Sequence, residues 1–306
     1  MMKSEKANIK GARPTLFIIL DGFGLADIKD KGNAITPETA PHIFSYMEDY
    51  PHAELIAHGR DVGLFPGQVG NSEAGHLNIG SGRVVKQDIV MISDAIKDGT
   101  FYKNEALHQG ILQAQELRSN VHVMGLLTDG NSAHAHPDHV SAILEHCRKQ
   151  KVKNVFLHLF TDGRDSTPHS AISYLSILEK YMKNGERIAS VSGRFYAMDR
   201  AKQWDRTKKA YKALAEGKGL SAISPEEAIT AAYNRGESDE YIQPTVIVED
   251  DKPIAAICDN DVIIFFNTRS DRARQLTKAF IQDQFNARNA GSFKRGFPMT
   301  QESIAI

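Results

Sequence analysis

A serine in a glycine-rich segment is the first residue of this chain that could act as a nucleophile. Ser72 lies in the segment GNSEAGH at residues 70–76, which also holds an acid and an imidazole. Asp21 follows the apolar run at residues 15–20. A carboxylate at the end of a buried strand and a serine in a glycine-flanked turn can together hold a metal ion that activates the hydroxyl. The pattern therefore indicates a metal-activated serine nucleophile, although each residue taken alone fits an ordinary turn.

Four further apolar runs each lead into a polar segment. The runs begin near residues 121, 155, 188 and 262. Ligands of open α/β sheets bind beyond the carboxyl ends of the strands, so we expect these segments to converge. The side chains that they contribute are His134, His136, Arg164, Asp165, Arg194, Arg200, Arg269 and Arg272. Guanidinium groups suit phosphate and carboxylate, and the set predicts a small phosphorylated acid as the ligand.

The arginines and Asp165 also have an ordinary interpretation. The arginines could lie on solvated faces and pair with Asp199, Asp205 and Asp271. Asp165 could be a general base, a group that binds hydroxyls, or a turn residue paired locally.

The histidines leave similar alternatives open. His134 and His136 could hold a metal ion, transfer a proton, or be surface imidazoles, the interpretation that we give to His108, His139 and His146.

The alternation of apolar runs with helical patterns predicts an α/β fold with a mostly parallel sheet. The predicted strands cover residues 15–20, 53–57, 121–127, 155–160, 188–191 and 262–266. The predicted helices cover residues 37–49, 137–150, 169–183, 201–216 and 271–287, and one more starts at Ser224. Residues 59–83 hold seven glycines and are predicted to form loops.

Composition narrows the function further. The chain has 306 residues and a net charge of -1, so no overall field favours nucleic acid or an anionic membrane. No signal peptide opens the sequence and no apolar run is long enough to span a membrane. Cys147 and Cys258 are predicted to be buried free thiols in a reducing compartment. We therefore expect a cytoplasmic protein with neither nucleic-acid nor membrane partners.

Five longer motifs carry a resemblance to a known family. They are DGFG at 21–24, GNSEAGHLNIG at 70–80, DGRD at 162–165, SGRFYAMDR at 192–200 and FFNTRSDRARQ at 265–275. Together, from about residue 13 to about residue 285, they resemble cofactor-independent phosphoglycerate mutases. The resemblance implies part of an alkaline-phosphatase-like domain at residues 1–83, followed by an inserted transferase-like domain at residues 84–306.

The resemblance also implies an activity, the interconversion of 3-phosphoglycerate and 2-phosphoglycerate with two manganese ions. Ser72 would carry the phosphoryl group, and Asp21 would bind a metal together with Ser72. Asp165 would act as base and acid on the glycerate hydroxyls. The residues implied to hold the substrate are His134, Arg164, Asp165, Arg194, Arg200, Arg269 and Arg272.

The sequence departs from the family pattern in three places. The segment Asp129–His136 is one residue longer than usual, which keeps His136 as an alternative to His134, and Thr268 replaces a common aromatic. Family members continue past residue 306 with further metal ligands, so we expect a truncated chain that is inactive alone. The alternatives are one half of a split enzyme that needs a C-terminal complement chain, and a phosphoglycerate-binding remnant without catalysis. The arginine segments match glycerate recognition better than they match a phosphopentomutase.

Overall fold

A mostly parallel sheet organises the computed structural model, which describes residues 14–295. Its seven strands are β1 (Val121–Leu127), β2 (Val155–Thr161), β3 (Arg187–Gly193), β4 (Leu220–Ala222), β5 (Thr245–Glu249), β6 (Lys252–Pro253) and β7 (Val262–Phe265). The strand order is β4-β5-β3-β2-β1-β7, and β6 pairs with β5. The strands β7, β1, β2 and β3 run parallel to one another, whereas β5 is antiparallel to β3. The predicted α/β class with a mostly parallel sheet is confirmed.

Helices precede, follow and connect the strands. In chain order they are α1 (Pro41–Asp49), α2 (Ser72–Ser81), α3 (Asp88–Asp98), α4 (Glu105–Leu117), α5 (Pro137–Lys149), α6 (Ala171–Glu179), α7 (Arg194–Ala197), α8 (Trp204–Glu216), α9 (Pro225–Asn234), α10 (Ser270–Ile281) and α11 (Phe285–Arg288). The start predicted at Ser224 is confirmed, because the Ser224 side chain accepts a hydrogen bond from the Glu227 amide and Pro225 is the first helical residue. Among residues 14–295, no helix combines the length and the apolar character that crossing a membrane requires.

The central strands form where the sequence is mostly apolar. All seven residues of β1 are buried, as are most of those of β2 and β3. Such strands are covered on both faces by helices, which explains why they lack the alternating pattern of a half-exposed strand. The large core packs around them, with Leu157, Tyr211 and Phe280 among its fully buried side chains.

The strands predicted at residues 15–20 and 53–57 are wrong. Both segments lack regular secondary structure, and Leu16 is 82% exposed. A strand needs a neighbour to pair its backbone groups, and among residues 14–295 no strand lies beside either segment. Asp21 therefore follows an exposed segment without regular secondary structure and not a buried strand.

The loop predicted at residues 59–83 contains helical structure. A 3₁₀ turn covers Gly59–Val62, and α2 begins at Ser72. A small apolar cluster of Val62, Leu64, Ala74 and Ile89 packs this region together, separately from the large core. The division into domains at residues 83/84 stays a prediction, and its outer parts, residues 1–13 and 296–306, lie outside the described residues.

Three side-chain environments also differ from prediction. Cys147 is buried as expected, but Cys258 is exposed because it lies in the turn before β7. His139 and His146 are buried, since both lie on the inner face of α5. The His139 Nε2 is 2.8 Å from Ser93 Oγ of α3, which packs against that face.

Candidate functional site

Ser72 is the first residue of α2 and not part of a turn. The Asn71 side chain accepts a hydrogen bond from the Ala74 amide and so caps the helix. Free amide groups and the helix dipole at such an end favour an anion. The glycines around Ser72 suggested a turn, whereas Asn71 was the signal for the helix start.

The Ser72 hydroxyl lies between a carboxylate and an imidazole. It donates a hydrogen bond to Asp21 Oδ2 at 2.8 Å, and His76 Nδ1 lies 3.2 Å from Ser72 Oγ. His76 Nδ1 is also 2.8 Å from the Ser72 carbonyl oxygen, one helical turn earlier. The structure thus brings together Asp21 and Ser72, which are far apart in sequence.

Asp21 and Ser72 offer oxygen donors of the kind that hard divalent cations take. Within residues 14–295, no group of three or more histidine, cysteine, aspartate or glutamate side chains is arranged to hold a metal ion. The two residues therefore fit part of a metal coordination shell and not the whole of it.

Arg194 lies at the centre of the second group of predicted residues. It is buried, and its Nη1 is 2.5 Å from Asp162 Oδ1 and 2.9 Å from Asp165 Oδ2. The Ser132 hydroxyl donates a further hydrogen bond to Asp165 Oδ2 at 2.7 Å. The segments after β1, β2 and β3 meet at this point, as expected for neighbouring parallel strands.

Burial and the charge of Arg194 act in opposite directions on the two aspartates. Burial raises the pKa of Asp162 above its ordinary value, and the adjacent Arg194 only partly offsets this effect. Burial also raises the pKa of Asp165, but its hydrogen bonds with Arg194 and Ser132 and the charge of Arg194 prevail and the net pKa is lowered. Asp165 is therefore an ionised acceptor at neutral pH.

His134 is buried beside this cluster. Burial lowers its pKa from the ordinary 6.5 to about 4, and the charge of the nearby Arg194 also lowers it, whereas Asp271 and Asp165 act in the opposite direction. Its carbonyl oxygen accepts a hydrogen bond from the Thr268 amide at 2.8 Å, which joins the segments after β1 and β7. His134 is thus a neutral imidazole at neutral pH.

His136 has a different position. Its Nδ1 accepts a hydrogen bond from the Asp138 amide at 3.2 Å and so caps α5, and its ring packs on Phe65 at 5.3 Å between centroids. The charges that influence its pKa are those of Asp138 and Lys97 and not those of the arginine group. Of the two histidines, the structure brings only His134 to the arginines.

Arg200 and Arg269 share a carboxylate. Asp271 Oδ2 is 2.6 Å from Arg200 Nη1, and Asp271 Oδ1 is 3.2 Å from Arg269 Nε. This is the pairing with Asp271 that the ordinary interpretation anticipated. Arg269 Nε is also 2.9 Å from Oε2 of Glu73, which follows Ser72 in the chain. This ion pair links the arginine group to the helix that carries the serine.

Arg164 and Arg272 complete the group. Arg164 Nη1 is 3.3 Å from Glu240 Oε1 at an exposed edge. Arg272 donates to the Met198 carbonyl oxygen at 3.4 Å. Burial lowers the pKa of Arg272, and the charges of Arg194, Arg200 and Arg164 lower it further. Guanidinium groups that repel one another in this way favour a ligand of high negative charge.

Two glycines shape the segments that carry these side chains. Gly163 has φ of +64°, and a Cβ there would lie 2.6 Å from the Glu240 amide nitrogen. A Cβ at Gly193 would lie 2.3 Å from the Glu240 carbonyl oxygen. Both positions need glycine because the 3₁₀ turn Asp239–Tyr241 passes directly over them.

Sequence reasoning missed several polar residues of the site. Ser132 and Asp162 contact the predicted residues but were given no role, and Glu73 and His76 were noted only as the acid and the imidazole near Ser72. Asp162 had a signal, since it directly follows the β2 run and opens the DGRD motif. For the pairing of Glu73 with Arg269 there was no signal, because the two residues are distant in the sequence.

Comparison with known proteins identifies relatives of the chain. The family described as BPG-independent PGAM N-terminus matches residues 92–302. Two curated relatives are named 2,3-bisphosphoglycerate-independent phosphoglycerate mutase. The protein from Clostridium kluyveri is 46% identical, and the match covers 90% of this chain and 54% of the relative. The protein from Clostridioides difficile is also 46% identical, and the match covers 96% of this chain and 58% of the relative. The chain spans about half the length of the curated relatives it matches.

A solved structure agrees with these matches. The crystal structure of Leishmania mexicana phosphoglycerate mutase at low cobalt concentration superposes with a TM-score of 0.78 and 31% sequence identity. The match covers 88% of this chain and 51% of that structure. The arrangement of strands and helices is therefore shared with a solved relative.

Proposed function

The chain belongs to the BPG-independent PGAM N-terminus family, and from this premise we propose that it serves the interconversion of 3-phosphoglycerate and 2-phosphoglycerate. The observation that carries the proposal is the Arg269–Glu73 ion pair, because it holds the arginine group against the helix that begins at Ser72. Phosphate recognition and a nucleophile thereby lie on adjoining elements.

In the proposed reaction, Ser72 Oγ gives up its proton and forms a bond to the phosphorus of the substrate, while the bond from phosphorus to the glycerate oxygen breaks and that oxygen takes up a proton to become a hydroxyl. The arginines and His134 retain the glycerate. Asp165 transfers a proton between the two glycerate hydroxyls, so that either oxygen can take the phosphoryl group back. The lowered pKa of Asp165 keeps its carboxylate ionised at neutral pH, so that it can accept a hydrogen bond from a glycerate hydroxyl. Holding the glycerate and the phosphorylated Ser72 in one site removes the need for the two to meet by diffusion.

We include two manganese ions in the proposal, for which Asp21 and Ser72 would supply part of the ligands. A bound divalent cation would lower the pKa of the serine hydroxyl and stabilise the charge of the phosphoryl group. Further ligands are needed beyond these two. The proposal therefore includes a C-terminal complement chain that supplies them. We also propose the division into domains at residues 83/84 and a cytoplasmic location.

A second candidate function is phosphoglycerate binding without turnover. The observation that favours it is the difference between the two halves of the site. Arg194 is buried and paired with Asp162 and Asp165, whereas Asp21 and Ser72 are exposed.

An enolase-coupled assay with added manganese separates the two functions. We expect no turnover from the chain alone and turnover after addition of the separately produced C-terminal half of the Clostridioides difficile relative. Ser72→Ala in the complemented mixture should abolish turnover, because a covalent nucleophile is lost. Turnover that survives this substitution would contradict the assignment of Ser72. Saturable binding without turnover in any mixture would favour the second function.

A further inference from the structure

Glu73 has a position that the proposed reaction does not use. It is the second residue of α2, directly after Ser72, and its carboxylate pairs with Arg269 at 2.9 Å. Arg269 precedes α10, at the carboxyl end of β7. The ion pair therefore joins the helix that carries the nucleophile to the sheet edge that carries the arginines.

The Arg269 guanidinium has two carboxylate partners, and these two differ in how many ion pairs they form. Asp271 is also bound by Arg200 at 2.6 Å, and its side chain is 29% exposed. The Glu73 side chain is 43% exposed, and Arg269 is its one ion-pair partner among residues 14–295. A ligand anion that needs the Arg269 donors can therefore displace Glu73 more easily than Asp271.

We propose that Glu73 is a positioning residue whose carboxylate occupies Arg269 until a phosphorylated ligand takes its place. This inference rests on the proposed function. Exchange of Glu73 for the ligand releases the contact between α10 and α2, so that filling the arginine group frees the helix end where Ser72 lies. The internal carboxylate imitates the ligand and lowers the apparent affinity for it.

The chain offers a matched control in Asp88. Asp88 and Glu73 are both acidic residues in the first turn of a helix, and both line the same cavity of about 80 Å³ beside Arg269. Of these two acidic residues, Glu73 forms an ion pair with Arg269 and Asp88 does not, among residues 14–295. Asp88→Asn thus repeats the change of charge without removing the competitor.

Calorimetric titration of 3-phosphoglycerate into the full chain tests the inference. Glu73→Gln should bind about two- to fivefold more tightly than wild type at low salt, the range expected for an exposed ion pair. Asp88→Asn should change the affinity much less. In an Arg269→Ala background, Glu73→Gln should give no gain, because the group for which it competes is absent. Circular dichroism verifies that each variant is folded.

The possible failures can be told apart. A wild-type chain that binds 3-phosphoglycerate while Glu73→Gln matches it would contradict the role of Glu73 alone. An equal gain from Asp88→Asn, or a gain that persists without Arg269, would reduce the effect to general electrostatics and overturn the inference. A wild-type chain with no saturable binding up to millimolar ligand would contradict the proposed function and the competition together.

Discussion

Asp165 and Arg194 face each other from the ends of two neighbouring strands, with 2.9 Å between Oδ2 and Nη1. The contact is partly open to solvent at Asp165, whereas Arg194 is almost wholly buried. Arg194 therefore serves two purposes. It neutralises the buried Asp162, and it keeps Asp165 ionised where a ligand can reach it.

Arg194→Ala should lower the free energy of unfolding by about 3–5 kcal/mol, because it leaves the Asp162 carboxylate buried without an ion-pair partner. Urea unfolding measures the change. Arg187→Ala is the control, since Arg187 pairs with Glu249 on the surface and its loss should cost at most about 1 kcal/mol. Equal effects of the two substitutions would show that the Arg194 pair is not buried in solution.

Asp165→Asn should remove the selection for the glycerate hydroxyls while the buried Arg194–Asp162 pair persists. We expect the wild-type chain to prefer 3-phosphoglycerate over 3-phosphopropionate, which lacks the hydroxyl, by about tenfold or more, as for a hydrogen bond to a charged group. The variant should bind the two ligands equally. Paired calorimetric titrations decide the point, and an unchanged preference would place hydroxyl recognition elsewhere.

Arg272→Ala should separate ligand binding from stability. Binding of 3-phosphoglycerate should weaken by about 1.5–3 kcal/mol, and added salt should weaken wild-type binding as well. The free energy of unfolding without ligand should stay the same or rise, because Arg272 is half-buried and is repelled by Arg194, Arg200 and Arg164. A clear loss of stability without loss of binding would make Arg272 a structural residue.

Stability should fall as the pH is lowered towards 4, because the buried histidines resist protonation. Burial lowers the pKa of His134 and of His139 from 6.5 to about 4. Between pH 6.5 and pH 4 the unfolded chain binds more protons than the folded chain. The contribution of these histidines to the free energy of unfolding is therefore fully present above pH 6.5 and is lost as the pH falls to 4.

Urea unfolding at about pH 7.5 and about pH 5 tests this, with each histidine expected to contribute on the order of 1–3 kcal/mol to the difference. The double variant His134→Gln, His139→Gln should show a flatter dependence on pH. Asp165 and Asp271 do not contribute to this difference, since their pKa values are lowered and their effect on stability therefore lies below pH 3.8. A double variant with the wild-type pH dependence would contradict the assignment.

The parts of the fold that follow from local pattern could be predicted from the sequence. The runs at residues 121–127 and 155–160 became β1 and β2, because a mostly apolar strand between helices is stable when both of its faces are buried. The equally apolar run at residues 15–20 did not, because a strand depends on a neighbour that sequence pattern alone does not supply. The short strand β4 and the helices α3 and α4 were missed, since glycines and mixed polarity interrupt their surroundings.

The candidate site shows the same division. The position of arginines after strands was enough to predict that Arg194, Arg200, Arg269 and Arg272 would gather. Their individual partners were not predictable, because an ion pair such as Arg269–Glu73 depends on how α2 packs near β7. Thr268 was noted only as a departure from the family, yet its amide holds the segment of His134 in place.

The strand order has a consequence for synthesis of the chain on the ribosome. Val121 pairs with Val262, so the last strand of the sheet lies beside the first. At about 5–20 residues per second, the roughly 140 residues between them take on the order of 7–28 s to emerge. Throughout that interval one edge of β1 has no strand beside it, and a nascent chain in this state is exposed to association with its neighbours on a polysome. A chaperone that binds extended apolar segments would have its longest opportunity at β1, well before α10 can be made.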